Sequence, residues 1–179
     1  MIFMDADNSM RKIKISKVVI NIGTGSDEQM QSNAKRLIEI ITGRKAANEL
    51  SRTRNPAFKI AKGQKIGAFV TVRGTDARSL IVRLFEAIDN KIKYESVTNN
   101  SLSFGIPEYI DISGVKYDSK VGMLGMNVNV SFMRNGMRVS KRKLRQSRVH
   151  KTHRTITPDE IMDYIKNEFN VRQVEQAAS

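Results

Sequence analysis

The 179-residue chain carries 31 Lys plus Arg against 18 Asp plus Glu, a formal net charge of +13 with a pI near 10.2, on a hydrophobic content of 40%. That length fits one domain with enough apolar material for a core, and zero cysteines exclude disulfides, thiolate metal sites and cysteine nucleophiles. A cationic surplus this large repels itself unless a polyanion neutralises it, so nucleic acid is the first candidate partner and an anionic membrane surface the second.

Residues 1–10 read as a polar lead-in, leaving open whether translation starts at Met1 or Met10. The lead-in lacks the basic stretch and apolar core of a signal peptide, and no run approaches the roughly 18 apolar residues of a membrane span, so a soluble chain is expected. In the run from Lys17 to Gly23, Val18, Ile20 and Ile22 share one face while Lys17, Val19 and Asn21 share the other, the pattern of a half-buried strand. Ser26 or Asp27 then caps a helix whose stripe is Met30, Ala34, Leu37, Ile38 and Ile41, with Gly43 as its stop.

Residues 44–65 hold seven basic residues and one acid, Glu49; a short strand over 46–50 followed by an exposed basic loop is expected. Residues 66–74 form another strand, and Ala77, Leu80, Ile81, Leu84, Phe85 and Ile88 mark the apolar stripe of a second helix. Residues 94–125 predict short strands and loops. From Met126 to Met133 the alternation is clean, with Val128, Val130 and Phe132 inward and Asn127, Asn129 and Ser131 outward. Thr157, Pro158 and Glu160 form a capping box that opens a last helix, buried through Ile161, Met162, Ile165 and Phe169. Strands and helices mix without regular alternation, which predicts an α+β fold: two layers, a largely antiparallel sheet with helices packed on one face. One domain over residues 11–170 is expected, with flexible tails at 1–10 and 171–179.

The charge is concentrated in residues 134–154, where Arg134, Arg138, Lys141, Arg142, Lys143, Arg145, Arg148, Lys151 and Arg154 occur with two histidines and no acid. With only Met137, Val139, Leu144 and Val149 to bury, this arm is expected to be flexible alone and ordered on a phosphate backbone. Arginine outnumbers lysine six to three. Its planar fork suits folded RNA, whereas a membrane surface would also require an apolar face that the arm lacks.

Catalytic and cofactor chemistry finds little support. Gly23 and Gly25 lack the third glycine of a dinucleotide loop, and no phosphate-loop motif occurs. His150 and His153 have helical spacing for a metal, but they sit among cations without a third ligand. Lys62 and Gly63, with the Gly67–Val72 stretch, echo an RNA-recognition consensus. Three extra residues separate the two halves and most stacking aromatics are missing, so a strand carrying Phe69 explains them better. No enzyme, cofactor or metal is expected.

Taken together, several stretches carry a resemblance: KVVINIGTG from Lys17, ITGRK from Ile41, FKI from Phe58, KIG from Lys65, VTVRG from Val70, FGIPEYID from Phe104, VKYD from Val115, and the arm ending His153 and Arg154. In this order over about residues 11–170, the chain resembles the large-subunit ribosomal protein five family, the universal 5S rRNA-binding ribosomal proteins, in its archaeal and eukaryotic form. The resemblance implies a cytoplasmic ribosomal protein that attaches 5S rRNA to the central protuberance and touches large-subunit rRNA. It also implies contacts with peptidyl-site tRNA, with neighbouring ribosomal proteins and with the small-subunit head. By motif, Lys17, Asn21, Gly23, Arg44, Thr71 and Arg73 would meet 5S rRNA. Arg52, Arg54, Phe58, Lys59, Lys62, Gln64 and Lys65 would form the tRNA loop, and the nine cations of residues 134–154 the rRNA-anchoring arm. Three positions depart from the family pattern: Arg44 stands where glutamine is frequent, Ala57 where glycine is usual, and Asn135 where proline often precedes Gly136. A non-ribosomal chaperone of 5S rRNA is the alternative, and an RNA-processing enzyme using His150 or His153 a more distant one.

Overall fold

Alternation of apolar and polar residues places the longest strand, β1 (Ile13–Gly23), at the centre of the sheet in this computed structural model, which describes residues 8–174. β1 pairs antiparallel with β3 (Lys65–Val72) on one side and with β7 (Met126–Arg134) on the other. β2 (Ala47–Leu50), β6 (Ser101–Ile106) and β5 (Val97–Thr98) complete six strands in the order β2-β3-β1-β7-β6-β5, every pair antiparallel.

Three helices cover one face. α1 (Glu28–Thr42) begins at Asp27, whose carboxylate accepts from the backbone N–H of Gln29 and Met30, and ends at Gly43 with φ of 66°, a left-handed turn that glycine adopts without steric penalty. α2 (Thr75–Glu86) follows β3 directly. α4 (Pro158–Phe169) carries the expected capping box, reciprocal between Thr157 and Glu160. Against these helices the sheet buries Val18, Ile20, Ile22, Ala68, Val70, Val72, Val128, Val130 and Phe132, so the period-two pattern of each strand becomes one continuous core. The α+β architecture agrees with the sequence reading.

Some details differ. Met30 is exposed; Gln31 is buried instead, its amide donating to the carbonyls of Gly25 and Lys65 and tying α1 to the start of β3. The chain also continues past residue 170. Val171 is buried, and β8 (Arg172–Val174) pairs parallel with β4 (Lys91–Lys93) in a small second sheet, held by the backbone N–H of Arg172 donating to Asn90 O. A three-residue parallel pair has no periodicity to read. Of the tails expected at 1–10 and 171–179, residues 1–7 and 175–179 lie outside the described residues.

Candidate nucleic-acid interface

The helix-free face of the sheet is a grid fixed by strand register. Asn21 lies between Phe69 and Asn127, Val19 between Thr71 and Asn129, and Lys17 beside Ser131. One strand further out, Ser101, Ser103 and Gly105 stand opposite Ser131, Asn129 and Asn127. Short amides and hydroxyls therefore occupy most of this face, and Ser103 Oγ donates to Asn129 Oδ1 at 2.7 Å. Asn21 Oδ1 is buried at its centre with no hydrogen-bond partner among the described residues. An amide oxygen shielded from water without a donor is destabilising by about 1–3 kcal/mol, a cost that a donor from an ordered water or a bound ligand would remove.

Of the residues that the resemblance implies for 5S rRNA, the structure brings Lys17, Asn21 and Thr71 together on this face. Exposed Gly23 ends β1, and Arg73, in line with Thr71, lies just past β3. Arg44 does not join them. Its Nη2 donates to Asp76 Oδ2 at 2.5 Å, in the first turn of α2 on the helix layer. Both side chains are about half exposed, so this pair holds the arginine only weakly. The sequence reading turned Asn127, Asn129 and Ser131 outward but gave them no role, and it missed Ser101 and Ser103; the alternation of β7 was the available signal.

The basic loop and the basic arm leave the sheet from opposite ends, because β1 runs its full length between them. Residues 51–64 extend the β2–β3 hairpin beyond Gly23. Ser51 N donates to Gln64 O, Asn55 and Ile60 exchange backbone hydrogen bonds, and a short 3-10 turn (Pro56–Phe58) forms the tip. Phe58 is 70% exposed there, with Arg52, Arg54, Lys59, Lys62 and Lys65 exposed around it. Gln64 serves the loop itself, its Oε1 accepting from Ala61 N at 2.8 Å.

At the other end, roughly 34 Å away at the usual rise of an extended strand, Arg134 pairs with Ile13 and the arm begins. Buried Met137 pins its first turn, and a short helix, α3 (Lys151–Arg154), closes it. Arg138, Lys141, Arg142, Lys143, Arg145, Arg148, Lys151 and Arg154 are all exposed. Arg134 is not: its side chain is 10% exposed, and Nη2 donates to both carboxylate oxygens of Glu160 at 2.7 Å. This arginine therefore supports the capping box of α4. Lys141 and Arg154 share with Lys17, Ser101 and Ser131 a groove of about 410 Å³, so the arm returns to the rim of the polar face and extends it with charge.

Neither histidine assembles a metal site. His153 Nε2 lies 3.1 Å from Asn135 O, His150 Nδ1 lies 2.7 Å from Thr152 Oγ1, and no cluster of three or more metal-ligating side chains forms among the described residues. Two phenols titrate above their ordinary value: Tyr94 through its hydrogen bond to Asp159 and Tyr164 through burial. Both belong to the surroundings of α4, away from the polar face.

Comparison with known proteins gives a consistent picture. Residues 8–60 match the family described as ribosomal protein L5, and residues 65–164 match the model of the same ribosomal family's C-terminus. Relatives named large ribosomal subunit protein uL5 align over nearly their whole length. That of Cenarchaeum symbiosum is 41% identical over 92% of this chain and 98% of its own, and that of Methanosphaera stadtmanae is 39% identical over the same shares. That of Sulfurisphaera tokodaii is 35% identical over 94% of this chain and 96% of its own.

Proposed function

The chain belongs to the ribosomal protein L5 family, structural components of the large ribosomal subunit in the cytoplasm rather than enzymes, and from that premise we propose that it holds 5S rRNA on the polar face of its sheet. The observation that carries this reading is Asn21, whose buried amide oxygen has no donor among the described residues at the centre of a face built from amides and hydroxyls. Lys17, Thr71, Gly23 and Arg73 surround it, and 5S rRNA supplies the missing partners through unpaired bases and 2′-hydroxyls. Arg44 joins by exchanging Asp76 for a phosphate.

The arm anchors the complex on phosphates of 5S and large-subunit rRNA at the central protuberance, gaining order as it does so. Its eight exposed cations serve this role; Arg134 stays with Glu160. The hairpin loop over residues 52–65, far from the arm, reaches peptidyl-site tRNA with Phe58 at its tip and Arg52, Arg54, Lys59, Lys62 and Lys65 around it. Neighbouring proteins of the protuberance and the small-subunit head complete the surroundings. The domain is a single unit over residues 11–170, with the last strand packed onto it.

Filter binding of 5S rRNA and of tRNA to the full chain, across a series of salt concentrations, tests this directly. Specific retention of 5S rRNA is expected, with a slope of about −4 to −7 in log affinity against log salt if roughly five to eight cations meet phosphates. A protein that ignores 5S rRNA in dilute buffer, or retains both RNAs equally, would sink the proposal.

A further inference from the structure

The basic stretch of residues 44–65 contains a single acid, Glu49, against seven basic residues. Glu49 is half-buried and makes no ion pair among the described residues. It lines a cavity of about 380 Å³ with Asn21, Phe69, Asn129 and Arg52, at the β2 edge of the polar face. Strand register explains the hollow. Glu49 stands opposite Gly67, which stands opposite Gly23, so no side chain rises between Glu49 and the end of β1. The backbones come together there so closely that a Cβ on Gly67 would lie 2.5 Å from Ile22 O.

Resting on the reading of this face as an RNA surface, we propose that the cavity takes one unpaired guanine, read on its Watson–Crick edge by Glu49. A carboxylate offers two acceptors side by side. Among the four bases only guanine presents two adjacent donors on that edge, N1–H and N2–H; adenine, cytosine and uracil each set a lone pair against one carboxylate oxygen. Guanine O6, next to N1, needs a donor. The amide nitrogens of Asn21 and Asn129 form no hydrogen bond among the described residues, and Asn129 Oδ1 is already occupied by Ser103. Phe69, across from Asn21, offers a ring to flank the base, and Arg52 offers a guanidinium at the mouth.

Kethoxal condenses with N1 and N2 of unpaired guanine, the atoms assigned to Glu49, whereas dimethyl sulfate reads N7 on the opposite edge. In a saturated complex of the full chain with 5S rRNA, one unpaired guanine should lose kethoxal reactivity yet keep its dimethyl sulfate reactivity, and Glu49→Ala should restore the former. Small hairpins that differ only in one loop base give the second measurement. Guanine should be preferred over adenine by about tenfold to a hundredfold, the discrimination of a good bidentate contact. That ratio should collapse in Glu49→Ala and swing toward adenine in Glu49→Gln, whose side-by-side acceptor and donor match adenine N6–H and N1, and a partly unfolded variant cannot imitate that reversal.

Protection that persists in Glu49→Ala overturns the guanine site while leaving the RNA-binding face intact. So does higher affinity at an unchanged ratio, which would mean that Glu49 only repels the backbone. A wild-type chain that does not retain 5S rRNA removes the underlying reading and this inference together.

Discussion

The polar face of the sheet and the basic arm meet in one groove, yet they are built on opposite terms. On the face, strand register sets every side chain: Asn21, Asn127, Asn129, Thr71 and Ser131 occupy grid positions that the core on the other side forbids them to leave. That face has few full charges and many directional groups. The arm has eight exposed cations, no acid, and Met137 as its buried anchor, while Leu144 is 83% exposed. A pre-set array of hydrogen-bonding groups can distinguish one RNA surface from another because misplaced partners leave buried groups unpaired. A loosely packed run of charge attracts any phosphate backbone. On the proposed reading, selectivity would fall to the face and most of the affinity to the arm.

The strongest test removes charge from the arm. Replacing Lys141, Arg142 and Lys143 with Gln should flatten the salt slope of 5S rRNA binding by about 2, which amounts to roughly a hundredfold loss for each tenfold step in salt below the molar range. The preference for 5S rRNA over tRNA should survive. Next in size is Asn21→Ala, which removes one hydrogen-bonding group from the face. It should weaken 5S rRNA binding about five- to tenfold, in line with a hydrogen bond of about 1 kcal/mol, and leave the salt slope where it was. A reversed pattern, slope lost with Asn21 and selectivity lost with the arm, would break the division.

The face was more legible in the sequence than the arm. Alternation over residues 17–23 and 126–133 fixed which side chains turn outward, and in a sheet that is nearly the whole answer. What alternation could not give was the neighbour across the ladder, so Ser101 and Ser103 went unnoticed although they complete the grid. In the arm, composition stood in for position, and all nine cations read alike. Structure separates Arg134 from the rest because its strand register aims it at Glu160. Gln31 displaced Met30 from the expected stripe for a related reason: two carbonyls at the α1–β3 junction need a donor, a demand invisible to helical periodicity.

Arg134 therefore sharpens the comparison from within the arm. Arg134→Ala would strip a nearly buried partner from Glu160 and loosen the capping box of α4. Because the glutamate is partly exposed, the loss should be about 1–2 kcal/mol of stability, below the 3–5 kcal/mol typical of a fully buried pair. Denaturant titration would read it as a lower midpoint at an unchanged slope. At temperatures where the variant stays folded, 5S rRNA affinity and its salt dependence should move far less than in the triple Gln variant. An equal change would return Arg134 to the phosphate-binding set.

The smallest effect belongs to the hairpin loop, which shares the arm's charge but takes its order from its own backbone. Hydrogen bonds between Ser51 and Gln64 and between Asn55 and Ile60 hold its shape, and Phe58 at the tip packs against little. Phe58→Ala should shift stability by no more than about 0.5 kcal/mol, as exposed substitutions do. It should also spare 5S rRNA binding, since the polar face does not include the tip. What should move is the loop's approach to peptidyl-site tRNA, read as loss of a cross-link from a photoreactive group placed at residue 59 in assembled ribosomes. A cross-link of unchanged yield would strip the aromatic tip of its part in that contact and leave the loop's cations alone to explain it.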